Sequence, residues 1–172
     1  MQQFIQFNDL NNADLHVDAI YFGGNAGNIS DEPLNVLVPG FPNAGGFRPT
    51  YPKVDGKLIA KEIKLCGLVS SGADLDWPDR LDVVRGIYTY YGDNRKPGNV
   101  DMHSTSRGGN VILRDAFKNF HSGKRDLIPL FLVFEKFEAK GFAYKFLGLA
   151  VPGVSGLTQT EDLVAIWRTD IN

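Results

Sequence analysis

Two adjoining stretches concentrate the side chains able to do chemistry. Asp74-Leu75-Asp76-Trp77-Pro78-Asp79-Arg80-Leu81-Asp82 supplies carboxylates, a tryptophan and an arginine. Gly86-Ile87-Tyr88-Thr89-Tyr90-Tyr91-Gly92-Asp93-Asn94-Arg95-Lys96-Pro97-Gly98 adds three tyrosines and two cations. Ile87 to Tyr91 reads as a strand, rich in aromatic and β-branched residues and closed by Gly92. Alternation then puts Tyr88 and Tyr90 on one face, and Ile87, Thr89 and Tyr91 on the other. Asp93-Asn94 and Pro97-Gly98 are turn chemistry, which sets Arg95 and Lys96 at a loop tip in water. Ring faces, a fixed carboxylate and nearby cations suit a pocket for one planar base. The competing reading is a hydrophobic strand between solvated turns.

A second constellation, Asp55, Glu62 and Lys64, imitates the Asp…Glu-x-Lys set with which many nucleases hold Mg²⁺ and activate water. Its first spacing is short, and Glu-x-Lys is a frequent accident on the wet face of a strand. No other carboxylate, His or Cys cluster has metal-ligand spacing, and His16, His103 and His121 are dispersed. No metal or cofactor is expected. The Gly-rich loop at Gly23-Gly24-Asn25-Ala26-Gly27-Asn28 lacks the strand–loop–helix context of a phosphate-binding motif.

The formal net charge of −2 hides a division along the chain. Residues 1–50 carry Asp9, Asp14, Asp18, Asp31 and Glu32 against Arg48 alone, a local −4. Residues 80–125 carry Arg80, Arg85, Arg95, Lys96, Arg107, Arg114, Lys118, Lys124 and Arg125 against Asp82, Asp93, Asp101 and Asp115, a local +5. A positive patch that could attract phosphates therefore coincides with the aromatic stretch. At 172 residues the chain is long enough for one domain, residues 1–172, with a real core. No apolar run approaches the roughly 20 residues that span a bilayer, and the N-terminus has no secretion signal. The single Cys66 excludes an internal disulfide and points to the cytoplasm; within an apolar strand pattern it reads as a small buried hydrophobe.

The elements that must position these residues follow from periodicity. Leu15 to Phe22 suggests a first strand, and Leu34 to Val38 a helical turn or strand. The Pro- and Gly-rich run from Pro39 to Pro49 reads as a loop whose tip could bring Phe47 to a base and Arg48 to a phosphate. Lys57 to Ser70 is one long strand or two. Asn110 to His121 is the best helix: Asn110 as cap, an apolar stripe of Ile112, Leu113, Ala116, Phe117 and Phe120, and Gly123 as stop. Leu127–Phe137 and Phe142–Val151 read as strands joined in a hairpin, and Leu163 to Arg168 as a last strand. The chain stops soon after it, which suggests a domain whose partner lies beyond this end. Six or more strands against one clear helix favour an α+β, β-dominated fold: an antiparallel, curved or barrel-like sheet with one main helix and short flanking helices.

Several of these segments carry a family resemblance. Trp77-Pro78-Asp79-Arg80-Leu81-Asp82, Tyr90 to Gly98, Pro129 to Glu135 and Phe146 to Gly153 resemble the N-terminal DNA-recognition domain of modification-dependent restriction endonucleases of the AspBHI and MspJI type. Asp31-Glu32-Pro33-Leu34 and Gly45-Gly46-Phe47-Arg48 fit the same pattern. The resemblance implies an SRA-like fold that recognises 5-methylcytosine or 5-hydroxymethylcytosine in duplex DNA by base flipping. It also implies a nuclease domain C-terminal to this one, so that this chain selects without cutting. Tyr90-Tyr91-Gly92 is similar to the turn that follows the pocket strand in SRA domains. The base-reading carboxylate lies upstream of that turn, which leaves Asp79 and Asp82 as candidates. Asp79 follows Trp77-Pro78, which fixes the preceding loop. Tyr88 or Tyr90 with Trp77 would sandwich the base, while Arg80, Arg85, Arg95, Lys96 and Arg107 would hold phosphates. Two readings of other classes stand beside this one: a metal-dependent nuclease using Asp55, Glu62 and Lys64, and a B3-like module reading an unmodified sequence or another DNA mark.

Overall fold

Runs of β-branched and aromatic residues bounded by Gly and Pro set the strands of this chain. The computed structural model describes residues 2–55, 57–58, 62–93, 101–137 and 141–164. In chain order its strands are β1 (Phe4–Ile5), β2 (Ile20–Phe22), β3 (Phe47–Thr50), β4 (Lys53–Val54), β5 (Lys57–Leu58), β6 (Leu65–Ser70), β7 (Arg80–Asp82), β8 (Ile87–Thr89), β9 (Leu130–Lys136) and β10 (Ala143–Ala150). The helices are α1 (Pro33–Leu37), α2 (Gly109–His121) and α3 (Gln159–Asp162). Two compact units divide the chain: Met1–Gly72 with Leu130–Ala150, and Ala73–Pro129 with Val151–Asn172.

The first unit is built on a six-stranded sheet in the order β1-β2-β10-β9-β6-β3. β9 is central, and Phe131 to Phe134 are buried in succession, as befits a strand covered on both faces. The β9–β10 hairpin is the one its sequence announces. A bulge between Phe146 and Gly148 shifts its register, and Gly148 takes φ +131 there. Leu10, Tyr21, Leu34, Phe41, Leu132, Phe134, Tyr144 and Phe146 make the core.

Four expectations about this sheet need correction. It is mixed rather than antiparallel, because β1 pairs with β2 and β6 with β9 in parallel. Parallel neighbours need a long connection, and the whole stretch from Ala73 to Pro129 separates β6 from β9. The sheet ends on β1 and β3, so no closed barrel is found among the described residues. The first strand is shorter than read, since Val17-Asp18 is a turn with Asp18 at φ +67.

The fourth correction concerns Phe47 and Arg48, which do not stand at a loop tip. They open β3, pair with Leu68 and Gly67 of β6, and are 1% and 2% exposed. Gly67 makes this possible: a Cβ there would meet the Phe41 ring at 2.8 Å and Arg48 Cβ at 3.3 Å. Arg48 Nη1 donates to Glu32 Oε1 at 2.7 Å, its Nε to the Gly45 carbonyl at 3.2 Å, and its guanidinium lies 5.6 Å from the Tyr144 ring centroid. Glu32, fully buried, also caps α1 by accepting from Asn35 N–H at 3.2 Å. A buried charge survives only with such partners, and Arg48 has found them inside the protein.

In the second unit, α2 begins at Gly109, one residue before the expected cap, and buries Ile112 and Ala116. α3 meets it where His121 Nε2 lies 3.1 Å from Asp162 Oδ2. A Cβ on Gly153, at φ +89, would fall 2.2 Å from the Phe120 ring, so that glycine is what lets the ring in. Leu163 and Val164 form no strand, and the rest of the expected last strand lies outside the described residues. Among the described residues no helix is long and apolar enough to cross a membrane.

Candidate nucleic-acid interface

The chemistry-bearing stretch lies within the second unit, on the antiparallel hairpin of β7 and β8 and the loops that flank it. Its register pairs Arg80 with Thr89, Leu81 with Tyr88 and Asp82 with Ile87. Opposed residues share a face. Arg80, Asp82, Ile87 and Thr89 therefore lie on one face, and Leu81 and Tyr88 on the other.

Two ring pairs result. Tyr88 and Tyr90 stack with centroids 5.9 Å apart and planes 29° from parallel. Trp77 pairs instead with Tyr91, 5.6 Å away and tilted by 55°. All four rings are only partly exposed, and the Tyr88 hydroxyl and Trp77 Nε1 are buried. The two tyrosines named for the base thus come together, while Trp77 belongs to the neighbouring pair.

Carboxylates brace the loops around these rings. Asp74 Oδ1 accepts from the N–H groups of Asp76 (3.2 Å) and Trp77 (3.0 Å), which turns the chain into Trp77. Asp79 Oδ1 accepts from Tyr91 N–H at 2.9 Å and so clamps the approach loop to the end of the tyrosine strand. Asp82 Oδ1 accepts from Arg85 N–H at 3.0 Å and closes the hairpin turn. Both candidate base readers are therefore held in place, by different parts of the backbone.

The hub that sequence reasoning missed is Asp93. Its Oδ2 accepts from Gly109 N–H (2.9 Å) and Thr105 Oγ1 (2.8 Å), and its Oδ1 from Asn110 N–H (3.2 Å). Asn110 returns the contact by accepting from Asp93 N–H at 3.0 Å, and its Nδ2 donates to the Met102 carbonyl at 2.8 Å. The cap of α2 is thus a residue far away in the chain, and Asn110 serves as its counterpart. Gly92 is required beside it: its φ is +78, and a Cβ would lie 2.2 Å from Asn110 Oδ1. Asp-after-Gly at a strand end was the visible signal, but cap rules search only the residues next to a helix.

Arg80, Arg85 and Arg107 are exposed, as phosphate contacts require, whereas Arg95 and Lys96 lie outside the described residues. Asp55 sits at the β4–β5 turn with φ +49, and Glu62 and Lys64 form an exposed ion pair with each other at 2.5 Å. Among the described residues no group of three His, Cys, Asp or Glu could hold a metal ion. Cys66 is wholly buried, and desolvation pushes its thiol up to about 12, as expected for an inert core residue.

A family model described as restriction endonuclease AspBHI N-terminal matches residues 15–172. Among solved structures, the DNA recognition domain of the cytosine modification-dependent restriction endonuclease LpnPI is similar at TM-score 0.88 and 40% identity. That match covers 97% of this chain and 72% of that one. The DNA modification-dependent restriction endonuclease AspBHI is similar at TM-score 0.82 and 43% identity, over 97% of this chain and 41% of that one. This chain therefore spans less than half of the AspBHI enzyme. A comparison with curated proteins finds no match.

Proposed function

We infer the function from the premise that this chain belongs to the restriction endonuclease AspBHI N-terminal family: it is the DNA-recognition domain, not the catalytic domain, of a modification-dependent restriction endonuclease. Its task is to bind duplex DNA carrying 5-methylcytosine or 5-hydroxymethylcytosine, to turn the modified base out of the helix, and to hold it against the tyrosines of the β7–β8 hairpin. A nuclease domain of the same protein then cuts what this domain selects.

The observation that carries the reading is the stacked Tyr88–Tyr90 pair beside a carboxylate, Asp79, immobilised by Tyr91 N–H. Extruding a base costs a few kcal/mol of pairing and stacking. Stacking on an aromatic face returns about 1–3 kcal/mol, whatever the base. Choice must then come from a polar contact. A carboxylate accepts from the cytosine N4 amino group, and it rejects thymine, which offers an acceptor at that position. The added methyl contributes only about 1 kcal/mol when buried, so preference for it stays modest unless shape adds to it.

Between the two carboxylates, register favours Asp79. Asp82 shares its face with Ile87 and Thr89, opposite to that of Tyr88. Trp77 backs the tyrosine strand through Tyr91. Arg80, Arg85 and Arg107, with Arg95 and Lys96, supply phosphate contacts that give affinity and salt dependence but no base choice.

The test is an equilibrium titration of one duplex in three versions, with cytosine, 5-methylcytosine or 5-hydroxymethylcytosine at a single position. Tighter binding to a modified version is expected. Equal affinity for all three would sink the reading and leave recognition of an unmodified sequence or of another mark.

A further inference from the structure

We propose that Leu81 reads the substituent on cytosine C5, and that it makes this domain select 5-methylcytosine over 5-hydroxymethylcytosine. This rests on the base-reading function above and assigns one residue of that site. Leu81 pairs across the hairpin with Tyr88, so it shares the face that carries the stacked Tyr88 and Tyr90 rings. It is 39% exposed, an aliphatic side chain left open beside that ring pair. Asp79, clamped by Tyr91 N–H, lies two residues earlier, an interval over which an extended chain advances about 7 Å. Arg80, between the two, turns to the opposite face with Thr89. Leu81 is therefore the next side chain along β7 that a base held at Asp79 would meet.

The chemistry of the ring links the two residues. Cytosine carries its amino group on C4 and its modification on the adjacent C5. A carboxylate that accepts from N4 thereby fixes where the C5 substituent points. An apolar side chain is the group that reads a pyrimidine 5-methyl in direct readout. Leucine neither donates nor accepts a hydrogen bond. A hydroxymethyl group packed against it gives up water around its hydroxyl and gains no partner there. Thr89, which could have supplied an aliphatic hydroxyl, is on the other face of the hairpin. The two residues act in series: Leu81 can sense the substituent only while Asp79 holds the ring.

The experiment titrates the chain and its Leu81→Ala and Leu81→Thr variants with four duplexes. These carry cytosine, 5-methylcytosine, 5-hydroxymethylcytosine or thymine at one position opposite guanine. The unaltered chain is expected to prefer 5-methylcytosine about fivefold over cytosine, the value of one buried methyl group. Its preference over 5-hydroxymethylcytosine should be about tenfold, the cost of an unpaired hydroxyl. In Leu81→Ala both ratios should fall below about twofold. Leu81→Thr should lose the second ratio, because its hydroxyl can pair with that of the modification. Thymine shares the 5-methyl and differs at position 4, so discrimination against it belongs to Asp79 and should stay within about twofold of the parent in both variants. If the unaltered chain binds both modified duplexes equally and above cytosine, base reading stands and the Leu81 assignment falls. Equal binding of cytosine and both modified forms removes base reading and Leu81 with it. A Leu81→Ala variant that keeps both ratios overturns the proposal. So does one that also loses discrimination against thymine, since Leu81 would then only hold the hairpin in shape.

Discussion

The two units of this chain place their carboxylates differently. In Met1–Gly72 with Leu130–Ala150, Asp31 and Glu32 are buried, and Glu32 is matched by a buried guanidinium at 2.7 Å. Burial there locks β3 and α1 into the sheet. In Ala73–Pro129 with Val151–Asn172, Asp74, Asp79, Asp82, Asp93 and Asp101 each accept from at least one backbone N–H. These carboxylates brace loops that have little hydrophobic interior of their own. A scaffold can draw its stability from a sheet, but a recognition surface must stay open. Carboxylate clamps hold such a surface in shape without filling it.

The sharpest way to break the comparison is to remove one buried charge. Arg48→Ala or Glu32→Ala should cost about 3–5 kcal/mol, because each leaves its partner buried and alone. Urea unfolding measures this. At temperatures where such a variant remains folded, its preference for modified DNA should be intact. Gly92→Ala comes next, at about 1–3 kcal/mol for a left-handed non-glycine residue driven against Asn110. Its damage should be local: faster hydrogen exchange at the Gly109 and Asn110 amides, with little change in β9 and β10. Arg80→Ala should weaken modified and unmodified duplexes alike and reduce the slope of log affinity against log salt by about 0.9, one phosphate's worth.

A further effect is on pH dependence and belongs to the scaffold. In the folded chain burial raises the Cys66 thiol from 9.0 to about 12. Above pH 9 the unfolded chain loses this proton first, so the folded state binds more protons and stability falls as pH rises. The decline should run from about pH 9 to about pH 12 in denaturation midpoints. Burial also raises Tyr21 and Tyr144, which act in the same direction. Cys66→Ala should flatten part of the curve and leave DNA binding unchanged.

Much of this contrast was legible in the sequence. Helix α2, the β9–β10 hairpin and strand β8 follow from periodicity and local turn chemistry, which act within a few residues, whereas β7 and its pairing with β8 were not read. What escaped depends on partners distant in the chain. Arg48 looked like an exposed cation because its acceptor, Glu32, is 16 residues away on another element. Asn110 looked like a helix cap because Asp93, which does the capping, is also 16 residues from the amide it holds. The parallel pairing of β6 with β9 spans the whole middle of the chain, and no local pattern encodes it. In the candidate site the residue types were readable. That Trp77 would face Tyr91 rather than the Tyr88–Tyr90 stack needed coordinates.

The central claim is that discrimination resides in one braced carboxylate of the second unit. It is tested most directly by the ratio of affinities for modified and unmodified duplex, in the unaltered chain and in Asp79→Ala, at one salt concentration. The account predicts a ratio above one that collapses to one in the variant, while the variant still unfolds cooperatively in a thermal melt. A ratio that survives the substitution would contradict it.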